Sequence, residues 1–503
     1  MMKKISNITL SLLLAFLPLI IFVLNPTNLA QLTVNDIKFL STILLVVFFI
    51  FILISFFLKN IFSTYNNKDL EKKLLFFFSF AFFQFFFHED IKQLIYIEGV
   101  SKRLFYLLSL LIIVLINMIT LFLTLKHFKI LKRISFYFIS ILIILNIFSN
   151  WNRYFDIFLK EKIGANKNEN PIILPQTDLK NNIYFVVMDS MSSVDYFEEN
   201  FIKIMDKELK NKLDNNNLII LPDSTSSYNM TYPTLTSIIY ANYPITDKKN
   251  FISRDFFFPN MFYYNEKNDL GIITYLTRNR NEFKYVGNSE YNLRSKNNYN
   301  YSIANEKILE IFNSAFYSFF DPTPFDEFVR YLYMYKQNDA VGRFLEYLKE
   351  KGMSQTKGFY LIHHISPHRP FIFDNDCKKI DNIRDNKIGY AKAYTCAFKK
   401  IIEFTEFINK NDPTAFIVFA GDHGADFIDH RTVDRFKVIS IIKPNKFCEN
   451  FDTNKMKFNT VNITRLALYC SANEKPIFLE NKSFIGYTEV EKEYGSFKEI
   501  KIK

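Results

Sequence analysis

The chain has 503 residues, 58 of them phenylalanine and only 12 glycine, and it carries a formal net charge of +11. So few glycines, with only 15 prolines, exclude collagen-like and flexible low-complexity architectures. The basic excess does not indicate nucleic-acid binding, because much of it falls in short loops between apolar segments, and the sequence has no P-loop, dinucleotide fingerprint or haem motif.

Apolar segments before residue 150 predict membrane-spanning helices. Five are found, at about 8–25, 38–58, 74–87, 104–125 and 134–149. A hydrocarbon layer about 30 Å thick requires roughly 20 apolar helical residues, so the third and fifth segments are short and need neighbouring residues to complete them. Buried helices of a soluble protein are the alternative, but five such segments in succession favour a membrane. We therefore interpret residues 1–150 as a transmembrane anchor domain.

The distribution of lysine and arginine predicts the orientation of these helices. With the amino terminus inside, the inner segments hold ten basic residues and the outer loops hold four, as the positive-inside rule requires. An odd number of spans then places everything after residue 150 outside. The lysine- and asparagine-rich, glycine-poor composition is typical of an AT-rich bacterial genome, which indicates the inner (cytoplasmic) membrane with the outer domain in the periplasm. Residues 151–181 are predicted to form an interfacial linker.

The cysteines agree with an oxidising compartment. All four (Cys377, Cys396, Cys448 and Cys470) follow the apolar segments, and their even number suggests disulfides. Pairing of sequence neighbours is the simplest of three connectivities. Four unrelated buried thiols are the alternative.

Beyond residue 181, short apolar runs alternate with helical patterns. The predicted strands are 183–188, 218–221, 271–275, 359–363, 415–420 and 436–442. Helices are predicted between them, for example at 233–242 and 389–409. Alternating strands and helices indicate an α/β/α sandwich with a mainly parallel sheet over 182–503. In such sheets, ligands bind beyond the carboxyl ends of the strands.

Several predicted strands end in polar residues. Asp189 follows the first strand, Asp422-His423-Gly424 follows the 415–420 strand, and the 359–363 strand ends in His363 and His364, with His368 shortly after. Five of the seven histidines lie between 363 and 430. A single Asp after a strand is often only a helix cap. Carboxylates together with imidazole nevertheless suit Zn²⁺ or Mn²⁺, so these strand ends predict a metal site.

A hydroxyl-rich segment, 224–244, precedes one of the predicted helices. Thr231, two residues before Pro233, would serve as a helix cap in the simplest interpretation. A helix amino terminus also binds phosphate-like anions, and a metal-bound Thr oxygen loses its proton more easily and becomes a nucleophile. Thr231 is therefore a candidate catalytic residue.

Taken in order, these residues resemble the alkaline phosphatase and sulfatase superfamily. The order is a strand-end acid, a nucleophile at the start of a helix, a histidine segment and a late Asp-His-Gly, here Asp189, Thr231, His368 and Asp422-His423-Gly424. Thr231-Tyr232-Pro233-Thr234-Leu235 is similar to the Thr-Phe-Pro core of nucleotide phosphodiesterases and the Cys-x-Pro-Ser-Arg core of sulfatases. Pro367-His368-Arg369-Pro370-Phe371 resembles a His-x-Pro element of sulfatases and lipoteichoic-acid synthases. The resemblance covers about 180–445.

Five helices followed by an outer domain are also the layout of membrane-bound phosphoethanolamine and phosphoglycerol transferases. The resemblance implies that Asp189, Thr231, Asp422 and His423 hold a divalent metal, zinc being favoured over manganese. Thr231 would attack a phospholipid donor and carry its head-group phosphate to a lipid or glycan acceptor. His368 would bind or protonate the phosphate and the leaving group. A second metal or substrate position would use His364 or His430, and disulfides are usual in the phosphoethanolamine branch.

The chain departs from these patterns at two positions. The transferases commonly have Glu where this chain has Asp189, and sulfatases have Arg where it has Leu235. Sulfate-ester hydrolysis is disfavoured, because the aldehyde that sulfatases make from Cys or Ser cannot be made from Thr231. Two alternatives to transfer remain open, namely a phosphodiesterase or related hydrolase on the same site and a non-catalytic membrane scaffold with this fold.

Overall fold

The computed structural model of the chain describes residues 7–24, 34–63, 68–85, 102–149, 173–243, 271–287, 339–369, 371–380, 387–429, 432–453, 456–486 and 497–502. Of these, the residues up to 149 form one compact unit and those from 173 onward form another. Most of the predicted linker and His430 lie outside the described residues.

Apolar helices make up the described part of the first unit. They are α1 (Asn7–Leu24), α2 (Val34–Ser63), α3 (Lys68–Phe85) and α4 (Lys102–Ser149). Two stretches, Leu40–Leu58 and Leu111–Phe148, are long and apolar enough to cross a membrane, and α1 adds a shorter apolar run. The fourth and fifth predicted segments are joined in α4, which departs from helical geometry at His127. The number of spans stays a prediction.

The helices of the first unit bury one side of their surface and expose the other. Leu14, Phe76 and Ile139 bring α1, α3 and α4 together in one apolar cluster. Other large apolar side chains face outward, with Phe57 of α2 exposed by 65% and Phe148 of α4 by 79%. Exposed apolar surface on long helices is typical of segments that face lipid.

A six-stranded sheet forms the centre of the second unit. Its strands are β1 (Ile183–Met188), β2 (Ile219–Ile220), β3 (Glu282–Val286), β4 (Gly358–His364), β5 (Phe416–Gly421) and β6 (Ser440–Lys443). Their order is β2-β6-β5-β1-β4-β3, with β6 antiparallel to β5 and β2 antiparallel to β6. Strands β3, β4, β1 and β5 run parallel, which confirms the mainly parallel sheet.

Helices cover both faces of this sheet. They are α5 (Val194–Asn200), α6 (Lys207–Asn215), α7 (Thr231–Tyr240), α8 (Ile272–Arg278), α9 (Ala340–Lys351), α10 (Lys387–Asn411) and α11 (Thr460–Ser471). Tyr184, Val186 and Met188 pack on one side with α9 and α10. Ile183, Phe185 and Val187 pack on the other side with α7, α8 and α11. Because side chains of a strand alternate between faces, β1 supplies both cores, and the α/β/α sandwich is confirmed.

One predicted strand is wrong. Residues 271–275 begin helix α8, and the strand lies farther on, at β3. The apolar residues Ile272, Ile273, Tyr275 and Leu276 are all buried on α8. A short apolar run of this kind fits either element, and the packing against the sheet decides it.

Two disulfides join elements of the second unit. Cys377 pairs with Cys396 of α10, and Cys448, in a short 3₁₀ helix after β6, pairs with Cys470 of α11. The pairing of sequence neighbours is therefore the one observed. A separate two-stranded sheet of β7 (Ser483–Gly486) and β8 (Phe497–Ile500) completes the described elements.

Candidate active site

The register of the sheet brings the ends of three parallel strands level. Met188, the last residue of β1, lies opposite the last residues of β4 and β5. Asp189 and Asp422 come next along β1 and β5, so both carboxylates emerge at the same edge of the sheet. Ligand atoms of Asp189, Asp422 and His423 lie within 4.8 Å of one another, and all three residues are buried.

Tight turns fix the carboxylate of Asp422. The backbone N–H groups of Ser190 and His423 both donate to Asp422 Oδ1, each at 2.9 Å. Ser190 reaches this position with φ of 62°, in the left-handed region that residues other than glycine seldom adopt. Gly421 is required before the second turn, because a Cβ atom there would collide with the backbone oxygen of Met191.

The other carboxylate oxygen of Asp422 has no such support. Oδ2 is buried and accepts no backbone N–H within the part of the chain that the structure describes. Burial, together with the nearby charge of Asp189, raises the pKa of Asp422 to about 7. Two buried carboxylates side by side repel each other unless a proton or a cation offsets one charge. The unsupported oxygen therefore fits a cation.

His423 directs one ring nitrogen at this pair. Its Nδ1 lies 2.9 Å from the carbonyl oxygen of Gly424, which only an N–H can satisfy, so Nε2 carries the lone pair. Nε2 is 3.4 Å from Asp422 Oδ2 and 3.7 Å from Asp189 Oδ1. Burial, followed by the charge of Arg435, lowers the pKa of His423 to about 3, so the ring is neutral. A neutral imidazole oriented by a carbonyl is the usual form of a metal-binding histidine.

Thr231 brings a hydroxyl to the same point. It is the first residue of α7 and is buried, and its Oγ1 lies 3.1 Å from His423 Nε2. It is not the helix cap, since that position belongs to Met230, which makes no side-chain cap bond. The hydroxyl of Thr234 donates to the carbonyl oxygens of Met230 and Asp422, at 2.8 and 3.0 Å, and so ties α7 to the end of β5.

These side chains together fit a divalent cation. They offer two carboxylates, one neutral imidazole nitrogen and one hydroxyl oxygen, and both Zn²⁺ and Mn²⁺ accept such donors. The structure thus brings together the four residues that the sequence analysis named as metal ligands, Asp189, Thr231, Asp422 and His423. Their roles stay proposals.

The histidine of β4 that joins this group is His363. Its Nε2 lies 3.0 Å from Asp189 Oδ2. The sequence motifs predict a role for His364 instead, but His364 lies on the opposite face of the sheet because adjacent residues of a strand alternate. There its Nδ1 is 3.8 Å from Asp339 Oδ1. The register could have identified His363, since it lies level with Val187 and so faces the same side as Asp189.

His368 lies at the margin of the site. Its side chain is 31% exposed, and its ring centre lies 6.3 Å from that of His423. Its Nε2 is 3.4 Å from Asp426 Oδ2. Burial alone would lower the pKa of His368, but the carboxylates of Asp426 and Asp189 outweigh it and raise the pKa to about 9. His368 is therefore protonated at neutral pH.

Two charged residues that the sequence analysis did not name lie beside this group. Asp426 is four residues after Asp422, and its side chain is 10% exposed. Arg435, in a 3₁₀ helix at Val433–Phe436, is buried, and its Nη2 lies 3.4 Å from Asp426 Oδ1 and 3.5 Å from His423 Nε2. No spacing or motif marks either residue, because loops bring them to the site.

The chain matches no protein-family model, and no curated protein matches it by sequence. Among solved structures it is similar to the C-terminal periplasmic domain of EcEptC from Escherichia coli, with 11% identity, TM-score 0.39, and 64% of this chain and 95% of that chain covered. It is also similar to lipooligosaccharide phosphoethanolamine transferase A (EptA) from Neisseria meningitidis, an integral membrane protein, with 12% identity, TM-score 0.39, and 92% and 96% covered. An alkaline phosphatase superfamily protein from Vibrio parahaemolyticus shows 12% identity, TM-score 0.37, and 65% and 79% covered. These are the groups that the sequence motifs resemble. Likeness at this level assigns no activity or residue role to this chain.

Proposed function

We propose that this protein is a metal-dependent transferase that moves a phospho-alcohol head group, phosphoethanolamine, from a phospholipid to a lipid or glycan of the cell envelope. The observation that supports it best is the position of Thr231. Its hydroxyl is buried 3.1 Å from His423 Nε2, beside the paired carboxylates of Asp189 and Asp422. A hydroxyl at such a point is placed to act as a nucleophile rather than as a cap.

Asp189, Asp422, His423 and Thr231 would hold the cation, and zinc suits the imidazole and carboxylate donors. When bound, a divalent cation favours the deprotonated form of the hydroxyl beside it and offsets the negative charge of a phosphate. Asp422 keeps its place through the two backbone N–H groups on Oδ1, and His363 holds Asp189 through Oδ2. The residues therefore need little rearrangement when the cation binds.

The reaction has two displacements at phosphorus. In the first, Thr231 Oγ1 releases its proton to solvent and forms a bond to phosphorus while the bond to the diacylglycerol oxygen breaks. Protonated His368 gives that oxygen its proton through Nε2. In the second, the acceptor hydroxyl loses its proton to His368 and forms its bond to phosphorus, and Thr231 Oγ1 leaves and takes a proton from solvent. The head group thus passes through a phospho-threonine intermediate.

A phospholipid donor is also consistent with the apolar helices of the first unit. The apolar helices of the first unit would anchor the chain in the bacterial inner membrane, where phospholipids are present, with the second unit in the periplasm. The choice of phosphoethanolamine comes from the resemblance of the sequence motifs.

The proposal is tested by incubating the purified full-length protein with phosphatidylethanolamine labelled in the head group, with Zn²⁺ or Mn²⁺. We expect release of diacylglycerol and a labelled head group attached to protein and then to an added acceptor lipid. Release of labelled phosphoethanolamine into water at the same rate, with or without acceptor, would show a hydrolase instead. Absence of any turnover with either metal would favour the non-catalytic scaffold and contradict the proposal.

A further inference from the structure

The carboxylate of Asp426 has a different cationic partner on each oxygen. Oδ1 lies 3.4 Å from Arg435 Nη2 and accepts a hydrogen bond from Ser190 Oγ at 3.0 Å. Oδ2 lies 3.4 Å from His368 Nε2 and 3.5 Å from Arg369 Nε. Asp426 therefore connects segments that follow three different strands, namely β1, β4 and β5.

Arg435 is held in a fixed direction. Its Nη1 donates to the carbonyl oxygen of Ala425 at 2.6 Å and its Nε to that of Asn229 at 3.4 Å. The side chain is 3% exposed. Its Nη2 points at His423 Nε2, 3.5 Å away, and that nitrogen lies 3.1 Å from Thr231 Oγ1. A fully buried guanidinium thus ends next to the proposed nucleophile.

More than one cationic group faces Asp426. One carboxylate faces the guanidinium groups of Arg369 and Arg435 and the imidazole of His368. Once the lone pair of His423 Nε2 is given to a cation, the N–H of Arg435 that now faces it needs another acceptor. A tetrahedral phosphate on Thr231 would offer oxygen acceptors at this point, and arginine binds such oxygens with a rigid pair of donors.

We propose that Asp426 is a positioning residue that holds Arg435 and His368, one on each carboxylate oxygen, so that Arg435 binds the oxygens of the phosphate transferred by Thr231 while His368 is kept at the margin of the site. The inference rests on the proposed function and extends it to residues that no motif marks. Arg435 contacts the phosphate directly, whereas Asp426 acts only through the side chains that it holds.

The direction in which Asp426→Asn changes phosphate affinity distinguishes a positioning role of Asp426 from a purely electrostatic one. A carboxylate near an anion site weakens anion binding by its charge, so its neutralisation would by itself strengthen phosphate binding. If Asp426 holds Arg435 and His368 in place, Asp426→Asn instead weakens phosphate binding. The matched control is Asp434→Asn, next to Arg435 in the 3₁₀ helix at Val433–Phe436. It removes the same charge from a half-exposed side chain that pairs with Lys437 at 2.7 Å.

The experiment measures the dissociation constant of inorganic phosphate by calorimetry on full-length protein in detergent, both metal-free and zinc-loaded. We expect phosphate to bind about tenfold or more weakly to Asp426→Asn and no differently to Asp434→Asn. Equal or tighter binding to a folded Asp426→Asn, as judged by its melting temperature, would overturn the inference. If Asp426→Asn does not fold, Arg435→Lys is measured in its place. This variant keeps the positive charge of Arg435 but loses its rigid pair of donors. A phosphate affinity equal to that of wild type in Arg435→Lys would equally overturn the inference.

Activity gives a second, independent readout. A loss of contacts to the phosphate raises KM and lowers kcat, whereas a purely structural defect lowers the melting temperature and leaves both constants of the folded fraction unchanged. Zinc affinity is measured separately on the same variants. Suppose that wild-type protein binds zinc and is labelled on Thr231, but that Asp426→Asn binds phosphate as tightly as wild type does. That result would contradict this inference alone and leave the proposed function standing. Wild type that binds no zinc and is not labelled would contradict the proposed function, while the phosphate comparison in metal-free protein still tests Asp426.

Discussion

Two polar clusters lie on opposite faces of the sheet at the end of β4, and they differ in burial and in charge balance. The front cluster is Asp189, Thr231, His363, Asp422 and His423, and the rear cluster is Asp339, His364 and Lys400. In the rear cluster, Lys400 Nζ lies 3.2 Å from Asp339 Oδ2, and Asp339 Oδ1 caps α9 by accepting from Gly342 N at 2.8 Å. In the front cluster, neither carboxylate has a lysine or arginine ion-pair partner among the described residues.

This difference shows why one cluster is a candidate metal site and the other is structural. Both contain a buried histidine and a carboxylate, so residue type does not distinguish them. The partly exposed carboxylate of Asp339 already has a lysine and a backbone N–H as partners and needs no further cation. A buried pair of carboxylates with one unsupported oxygen requires a further positive charge.

Removal of the Thr231 hydroxyl should have the largest effect. Thr231→Ala deletes the proposed nucleophile and one metal contact together, so we expect kcat to fall by about three orders of magnitude or more. Thr231→Ser keeps the hydroxyl and should retain part of the activity. Thr432→Ala is the control, because its exposed hydroxyl only donates to the Asp429 carbonyl oxygen. Head-group release from labelled phosphatidylethanolamine measures all three, and unchanged turnover in Thr231→Ala would exclude Thr231 as the nucleophile.

Zinc affinity should distinguish the two clusters directly. Asp422→Asn removes a charged ligand from the front cluster, and we expect the zinc dissociation constant to rise by about 100-fold or more. Asp339→Asn removes the acid of the rear cluster and should leave zinc affinity unchanged while lowering the melting temperature. Competition with a chelating dye measures the affinity of both variants. Equal zinc affinities in the two variants would show that the front cluster is not the metal site.

The neighbouring histidines of β4 provide a finer comparison. His363→Gln loses the contact that orients Asp189, so zinc affinity and kcat should each fall by about 10- to 100-fold, as for other residues that orient metal ligands. His364→Gln changes only the rear cluster and should leave both quantities within a factor of about two of wild type. Paired titrations and kinetics on the two variants test this. The reverse order of effects would mean that the face assignment of β4 is wrong.

The pH dependence of stability should have opposite signs in the two clusters. In metal-free protein, Asp422 binds its proton more tightly when folded than when unfolded, because burial and Asp189 raise its pKa to about 7. The contribution of Asp422 to the free energy of unfolding is therefore fully present below its unfolded pKa, near 3.8, and is lost as pH rises through 7. Burial lowers the pKa of His364 to about 4, so its contribution is lost as pH falls from 6.5 through 4.

These contributions are isolated by differences between variants. Between pH 4 and 7, the melting temperature of metal-free Asp422→Asn should rise relative to wild type by a few degrees, roughly 2–4 °C for each kcal/mol. That of His364→Gln should fall relative to wild type over the same window. Added zinc should abolish the first trend and not the second. Parallel trends in both variants would contradict the assigned charge states.

The sequence predicted the parts of the site that follow directly from strand ends. Asp189 and Asp422-His423-Gly424 come immediately after apolar runs that are strands β1 and β5, so their position needs only the rule that ligands bind beyond the ends of parallel strands. Thr231 was predicted because a hydroxyl-rich segment precedes an apolar helix. In each case the signal lies within a few residues of the functional side chain.

The remaining parts depend on contacts that no local pattern contains. The choice between His363 and His364 requires the register of β4 against β1, which is fixed by long-range pairing. Asp426 and Arg435 reach each other through turns that the sequence does not specify. The strand predicted at 271–275 failed for the same reason, since packing against α7 and the sheet makes that apolar run a helix.

The proposed covalent intermediate can be detected on Thr231 itself. Full-length protein purified from its native membrane would be analysed for metal content, then mixed with phosphatidylethanolamine, quenched in acid, digested and examined by mass spectrometry. We predict one equivalent of a divalent metal, zinc, per chain and a phosphoethanolamine group on Thr231 that disappears when acceptor is added. Protein that turns over the lipid while Thr231 stays unmodified, or that binds no divalent metal, would contradict the claim that the front cluster is a metal-dependent phosphoryl-transfer site.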